Sequence, residues 1–157
     1  MALEIERKFL VTSNAWRPLA VRPRRIVQAY LANTATSSVR IRLTDDSKAR
    51  LTIKSKGPST CREEFEYPVP LEDARSLLEL RTSQLVCKVR HVVPFAGMDW
   101  DVDVFDGENA GLVLAEVELQ SVTQQIELPG WVGEDVSHDA RYTNNQLAEQ
   151  PYLTFAT

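Results

Sequence analysis

The sequence predicts a mainly β protein: a closed eight-stranded antiparallel barrel, a tunnel, with a few helices packed outside. Three observations predict it. Apolar and polar residues alternate with period two at 3–11, 24–32, 38–44, 49–56, 61–69, 85–93, 99–106 and 112–120, in segments rich in Val, Ile, Leu, Thr and aromatics. Several of the gaps are turn chemistry: Thr44-Asp45-Asp46-Ser47, Lys56-Gly57-Pro58-Ser59, Phe95-Ala96-Gly97 and Asp106-Gly107-Glu108-Asn109. Gaps this short join antiparallel neighbours as hairpins. Finally, little of the chain has helical spacing.

Each strand carries the alternation in its own way. In LEIERKFLV, Glu4, Glu6 and Lys8 share one face, and Leu3, Ile5, Phe9 and Val11 fill most of the other. Segment 12–20 has room for one helical turn. Gln28 and Tyr30 share a face of the second strand, and Arg40 and Arg42 a face of the third, opposite Val39, Ile41 and Leu43. Arg50, Thr52, Lys54 and Lys56 oppose Leu51 and Ile53. Arg62, Glu64 and Glu66 oppose Cys61, Phe65 and Tyr67, with Glu63 interrupting the apolar row. After Pro70, LEDARSLLELR puts Leu71, Ala74, Leu77, Leu78 and Arg81 on one helical stripe, with acids early and Arg late. Lys88 and Arg90 oppose Cys87 and Val89; Asp101 and Asp103 oppose Trp100, Val102 and Val104; Glu116 and Glu118 oppose Val117 and Leu119. NNQLAEQ is a short helix capped by Thr143 or Asn144.

A chain of 157 residues is a single-domain length with a sizeable core, and no repeat or linker divides it. Its net charge of −4 argues against a nucleic-acid partner, and any anion site must come from local grouping of bases. Cys61 and Cys87 form no disulfide framework or zinc set and read as buried free thiols. With no apolar run of about 18 residues and acids near the first residue, a reduced, cytoplasmic protein without a membrane partner is expected. No Gly-rich phosphate loop occurs, and His91 and His138 have no evident Ser or Cys partner, so nucleophilic triad chemistry is not indicated.

For any one strand, a charged face is explained by solvent. The sorting of signs is not. Glu4/Glu6, Glu64/Glu66, Asp101/Asp103 and Glu116/Glu118 are acid pairs, whereas Arg40/Arg42 and Lys88/Arg90 are basic pairs. Ordinary surfaces intersperse signs. Side chains two apart in a strand project from points about 7 Å apart. Like charges at that distance repel by about 0.6 kcal/mol in water and about 2.4 kcal/mol at an effective dielectric of 20. Opposite signs across strands offset part of this cost; a divalent cation relieves grouped acids, and a polyanion grouped bases. With these faces inward the barrel becomes a polar tunnel suited to a metal–polyphosphate ligand. Carboxylates without His or Cys select a hard cation, Mg²⁺ or Mn²⁺, and bases at several heights match successive phosphates.

At this point the chain resembles a known family. EIERK at 4–8 matches the ExExK signature of the CYTH superfamily, the triphosphate tunnel metalloenzymes. It is followed in order by QAYL (28–31), VRIRL (39–43), LTIKS (51–55), REEFEY (62–67), KVR (88–90), DVDVF (101–105), LAEVEL (114–119) and WVGEDVSHDARYTNNQLA (131–148). Its short length and opening are most similar to bacterial members that hydrolyse inorganic tripolyphosphate. The resemblance implies that residues 1–157 form one tunnel domain and hydrolyse tripolyphosphate to pyrophosphate and phosphate. It implies Glu4, Glu6, Glu116 and Glu118 as metal ligands and, with Lys8, as the catalytic set. Glu64, Glu66, Asp101 and Asp103 complete the acidic, metal-binding lining. Lys8, Arg40, Arg42, Lys54, Arg62, Lys88, Arg90 and Arg141 bind the substrate; Tyr30 is a packing or hydrogen-bonding residue, and Lys56 a solvated hairpin residue. A second metal, where present, activates the attacking water. Other triphosphate activities of the family stay open: thiamine triphosphatase, nucleoside triphosphatase and class IV-type adenylate cyclase. So do a polyphosphate-binding module without turnover, and either a monomer or a homodimer.

Overall fold

The structure, a computed structural model, describes residues 2–56 and 61–156. The strands are β1 (Ala2–Val11), β2 (Val21–Asn33), β3 (Ser37–Thr44), β4 (Lys48–Ser55), β5 (Cys61–Val69), β6 (Val86–Phe95), β7 (Met98–Phe105), β8 (Val113–Glu118) and β9 (Val132–Asp135). Two α-helices, α1 (Leu71–Leu78) and α2 (Asn144–Glu149), and four short 3₁₀ turns complete the described residues. The neighbour order β5-β4-β3-β2-β6-β7-β8-β1 is closed by antiparallel pairing of β1 with β5, so the eight expected strands make a barrel. Hairpins supply most of the order. At Ala96-Gly97, both residues have positive φ (51° and 78°), the two-residue turn whose twist matches its strands. Asp45 and Asp46, also at positive φ, turn β3 into β4. The expected turn at Gly57-Pro58-Ser59 lies outside the described residues.

β1 is the seam. One of its edges pairs with β8 from Glu6 to Leu10, while the other is divided between β5, opposite Ala2 to Ile5, and β9, opposite Phe9 and Val11. The ninth strand was not legible from periodicity: it is four residues long and leans on β1 rather than closing the barrel. Gly133 permits the approach, since a Cβ there would stand 2.5 Å from Thr12 Cγ2 and 3.4 Å from the Leu10 carbonyl oxygen.

The apolar rows face outward and are covered in two places. Ile5, Phe9, Val93, Trp100, Val102, Ala115 and Val117 pack under Trp16 and Trp131, carried by the segments that follow β1 and precede β9. Ala29, Ile41, Leu43 and Ala49 pack under Ala74 of α1, flanked by Leu71, Leu77 and Leu78. The helix stops at Leu78, short of the expected Arg81; Leu80 is exposed, and the Arg81 guanidinium folds back to donate to the Leu78 carbonyl. The expected turn in segment 12–20 is the 3₁₀ turn Arg17–Leu19.

A third apolar cluster positions the site. Lumen-facing Tyr30, Val86, Phe105 and Leu114 meet Val136, Tyr142, Leu147 and Ala148 of the C-terminal segment. This cap, with α2 capped by the Thr143 hydroxyl accepting from the Gln146 N–H, covers one end of the barrel over these residues. It is fastened by polar bonds as well: Asn33 Nδ2 donates to Glu149 Oε1 (2.8 Å), and the Gln84 N–H to the Ala148 carbonyl (3.0 Å). No helix among the described residues is long and apolar enough to cross a membrane.

Candidate active site

The registers bring the sorted charges to one interior. Glu6 lies opposite Glu118, Lys8 opposite Glu116, Glu116 opposite Asp101, Arg90 opposite Asp103, Gln28 opposite Arg42, Tyr30 opposite Arg40 and Lys54 opposite Glu64. Cross-strand partners share a face, so these groups line the lumen. Three cavities run through it in series. An acidic chamber of about 150 Å³ is bordered by Glu4, Glu6, Glu64 and Glu66 together with Asp101, Glu116 and Glu118. Its bases are Arg40, Arg42, Lys54 and Arg90. A constriction of about 30 Å³ follows, with Glu6 as its single acid against Lys8, Arg40, Lys54 and Arg62. Beyond it, beside the cap, a cavity of about 310 Å³ opens outward.

Bases and acids hold one another in place. Asp103 is fully buried and takes both a Lys88 contact (2.8 Å) and a two-pronged Arg90 contact (2.7 and 2.8 Å). Burial alone would raise the Asp103 carboxyl, but Arg90 and then Lys88 hold it below the usual range. Burial pushes Lys88 down against the pull of Asp103. Arg90 also reaches Asp101 (3.6 Å) and Glu116 (3.7 Å), and Asp103 outweighs burial to keep its guanidinium well above the ordinary value. Lys8 lies 3.4 Å from Glu116 and donates to the Tyr142 carbonyl (3.0 Å), tying the floor of the site to the cap. For Glu116, burial is overcome by Lys8 and Arg90, so its carboxyl stays well below the usual range. Lys54 bridges Glu4 (3.0 Å) and Glu64 (3.5 Å), and Arg62 reaches Glu6 (3.3 Å) and Glu4 (3.7 Å).

Two features mark the lumen as a receptor. Arg40 Nε and Gln28 Nε2 are buried donors with no acceptor among the described residues, and Arg40 borders both the acidic chamber and the constriction, where an oxyanion could reach it. Gln28 itself is wholly buried, and its Oε1 accepts from Arg42 Nε (2.8 Å), which orients that guanidinium. Burial, with Arg40 and Arg90 nearby, pushes Arg42 down to about 9, still protonated at neutral pH. The second feature is crowding of carboxylates. Burial raises Glu6 to about 7, and Glu116 and Glu4 add to the effect. Burial and a hydrogen bond with Glu64 raise Glu4, and burial raises Asp101.

The Glu6 shift fixes a sign. The folded state holds its proton up to about 7, the unfolded chain only to about 4.5, so in that window folding takes up a proton. Stability from this group therefore falls as pH rises from about 4.5 to about 7, and the penalty is complete above. Metal-free Glu6→Gln protein is expected to be more stable than the parent at pH 8 by about 2–3 kcal/mol, with the difference vanishing near pH 4.5. Urea unfolding in EDTA at the two pH values measures it; a variant less stable at pH 8 contradicts the burial penalty.

Whether these acids suit a metal depends on the donor set. Among the described residues, no group of three or more His, Cys, Asp and Glu is arranged to hold a metal ion as the side chains stand. Most of the acids lean on bases instead. The donors at Glu4, Glu6, Glu116 and Glu118 are nevertheless all carboxylate oxygens gathered on one chamber wall, and that chemistry fits a hard divalent cation. Asp103 differs, because its two oxygens are taken by Lys88 and Arg90. Glu66 stands exposed, 3.9 Å from Arg50.

The site residues read from the sequence thus converge on the lumen, with one exception. Arg141 is exposed on the cap, where Asp139, two residues earlier in the chain, takes its guanidinium (2.6 Å) and Tyr142 and Phe155 lie beneath it. Tyr30 borders the constriction beside Arg40, and Lys56 is exposed at the rim of the cap-side cavity. Sequence reasoning missed Gln28, Ser38, Thr143, Asn144 and Asn145 as lining or orienting groups. Asn144 borders the acidic chamber and the constriction, and its Oδ1 accepts from Lys88 (3.4 Å).

A closed antiparallel barrel that turns its ionic rows inward and its apolar rows outward defines a protein built to enclose a polyanion. The pattern of the CYTH domain matches residues 2–152, and the chain belongs to this family. Among curated relatives, an inorganic triphosphatase of Acetivibrio thermocellus is 38% identical over 99% of both chains. An inorganic triphosphatase of Nitrosomonas europaea is 36% identical, over 92% of this chain and 96% of its own. A crystal structure described as an inorganic triphosphatase superposes with a TM-score of 0.68 at 31% identity, covering 94% of this chain and 95% of the other.

Proposed function

We propose that the lumen binds inorganic tripolyphosphate with a hard divalent cation, Mg²⁺ or Mn²⁺, and hydrolyses a terminal phosphoanhydride to pyrophosphate and phosphate. The observation that carries this reading is the convergence of Lys8, Arg40, Lys54 and Arg62 on a constriction, beside an acidic chamber, with a buried Arg40 donor awaiting an oxygen. The relatives named as inorganic triphosphatases support it. Arg40, Arg42, Lys54 and Arg90 would hold the non-bridging oxygens of the chain, and Lys88 with Asp103 would keep Arg90 aimed. As negative charge redistributes during transfer, donors already fixed in a buried site stabilise it without reorganising. Glu4, Glu6, Glu116 and Glu118 would hold the cation, which when bound neutralises phosphate oxygens and lowers the pKa of water. In the metal-free protein Glu6 is ionised only near and above neutral pH, so the cation would bind more tightly as pH rises through that range. The two thiols, free and half-buried, agree with a reducing cytoplasmic setting, where we place the protein as a monomer or homodimer.

A phosphate-release panel tests the reading: tripolyphosphate, thiamine triphosphate and ATP, each with Mg²⁺, Mn²⁺ or EDTA. Release should be fastest with tripolyphosphate and vanish in EDTA. Preference for thiamine triphosphate or ATP, or activity indifferent to EDTA, would overturn it.

A further inference from the structure

The three cavities differ in the sign of their walls. In the acidic chamber seven carboxylates face four bases, which favours an anion that arrives complexed with metal. The cap-side cavity is the reverse. Its three bases, Lys8, Lys56 and Arg62, outnumber its two carboxylates: Glu6 and Arg62 offset each other (3.3 Å), Lys8 is shared with Glu116 (3.4 Å), and Asp139 is offset by Arg141 (2.6 Å), which leaves Lys56 in excess. The cap adds neutral polar groups at Thr143, Asn145 and Gln146. This cavity shares Glu6, Lys8 and Arg62 with the constriction, so it is continuous with the lumen, yet apart from Glu6 it shares no lining residue with the acidic chamber. A small dianion freed of its metal meets net repulsion on the acidic side and net attraction here.

We propose that the cap-side cavity is a separate binding site for metal-free inorganic phosphate, and the route by which the smaller product leaves. The exit role rests on the hydrolysis reading above; the binding site does not. The lumen bases also attract phosphate, so the decisive measurement blocks them first. In EDTA, where turnover stops, the protein is saturated with tripolyphosphate and then titrated with inorganic phosphate by calorimetry. Phosphate should still bind. Lys56→Glu, at an exposed rim position, and Ala140→Trp, which places a ring in the cavity from another exposed position, should each weaken that binding at least fivefold. With turnover restored, phosphate should inhibit the parent non-competitively against tripolyphosphate. Complete displacement of phosphate by saturating tripolyphosphate would overturn the proposal, as would parental affinity in both variants. An inactive protein that still binds phosphate under these conditions would refute the hydrolysis reading and the exit role while leaving the site standing.

Discussion

Glu6→Ala is expected to reduce tripolyphosphate hydrolysis by about 10²–10³-fold or more, the scale seen when a preorganised electrostatic group is removed from a reacting centre. Glu6 borders all three cavities, the only acid in the constriction, and its carboxyl is crowded by Glu4 and Glu116. Under the proposed mechanism its removal would take a ligand from the cation, and it frees Arg62, its partner at 3.3 Å, to move. Because burial makes the ionised side chain costly, the loss should appear in activity and not in stability. Glu6→Gln separates charge from shape: it should be nearly as inactive, yet fold at least as well as the parent at pH 8. Glu63→Ala is the control, since Glu63 is exposed on the outward row of β5. Phosphate release under saturating metal reads all three; parental activity in Glu6→Ala would refute the assignment.

Asp103→Ala should have the largest effect on stability, about 3–5 kcal/mol, equivalent to a fall in Tm on the order of 10 °C for a domain of this size. The carboxylate is the shared counter-charge of Lys88, which is wholly buried, and Arg90, whose side chain is 12% exposed. Removing it leaves two cations facing each other, with Arg42 close by in a low-dielectric interior. Replacing one member of a buried cluster is far worse than never having had the cluster. A double variant, Asp103→Ala with Lys88→Met, should recover a substantial part of the loss by removing one orphaned charge. Thermal unfolding of the single and double variants decides it, and equal stabilities would mean that the cluster is already hydrated.

The sequence pattern and the structure agree where a single periodicity carries the information. Arg40/Arg42, Lys88/Arg90 and Asp101/Asp103 could be assigned to one face by counting alternate positions, and closure followed because so many strands had a charged row to hide. What escaped lacks a charge or a period. Gln28 and Asn144 are neutral amides whose roles depend on which guanidinium or ammonium group they meet. β9 is too short to show alternation and exists because Gly133 lets it close on Thr12. Arg141, given to the substrate by the family resemblance, stands exposed on the cap because Asp139 captures its guanidinium within one 3₁₀ turn, a contact no alternation reveals. The cap over Tyr30, Val86 and Leu114 is tertiary packing between distant segments, invisible to any local window.

The divided edge of β1 has a consequence for biosynthesis. Of the nine strands β1 is synthesised first, whereas β8 and β9, which flank it on either side, are synthesised last. At about 5–20 residues per second, the nascent strand waits on the order of ten seconds with its hydrogen-bonding groups unpaired. A bare apolar ribbon in that state would recruit neighbouring polypeptides. Glu4, Glu6 and Lys8 place charge along the strand during the delay, so the row that later lines the lumen also guards the newborn chain against aggregation.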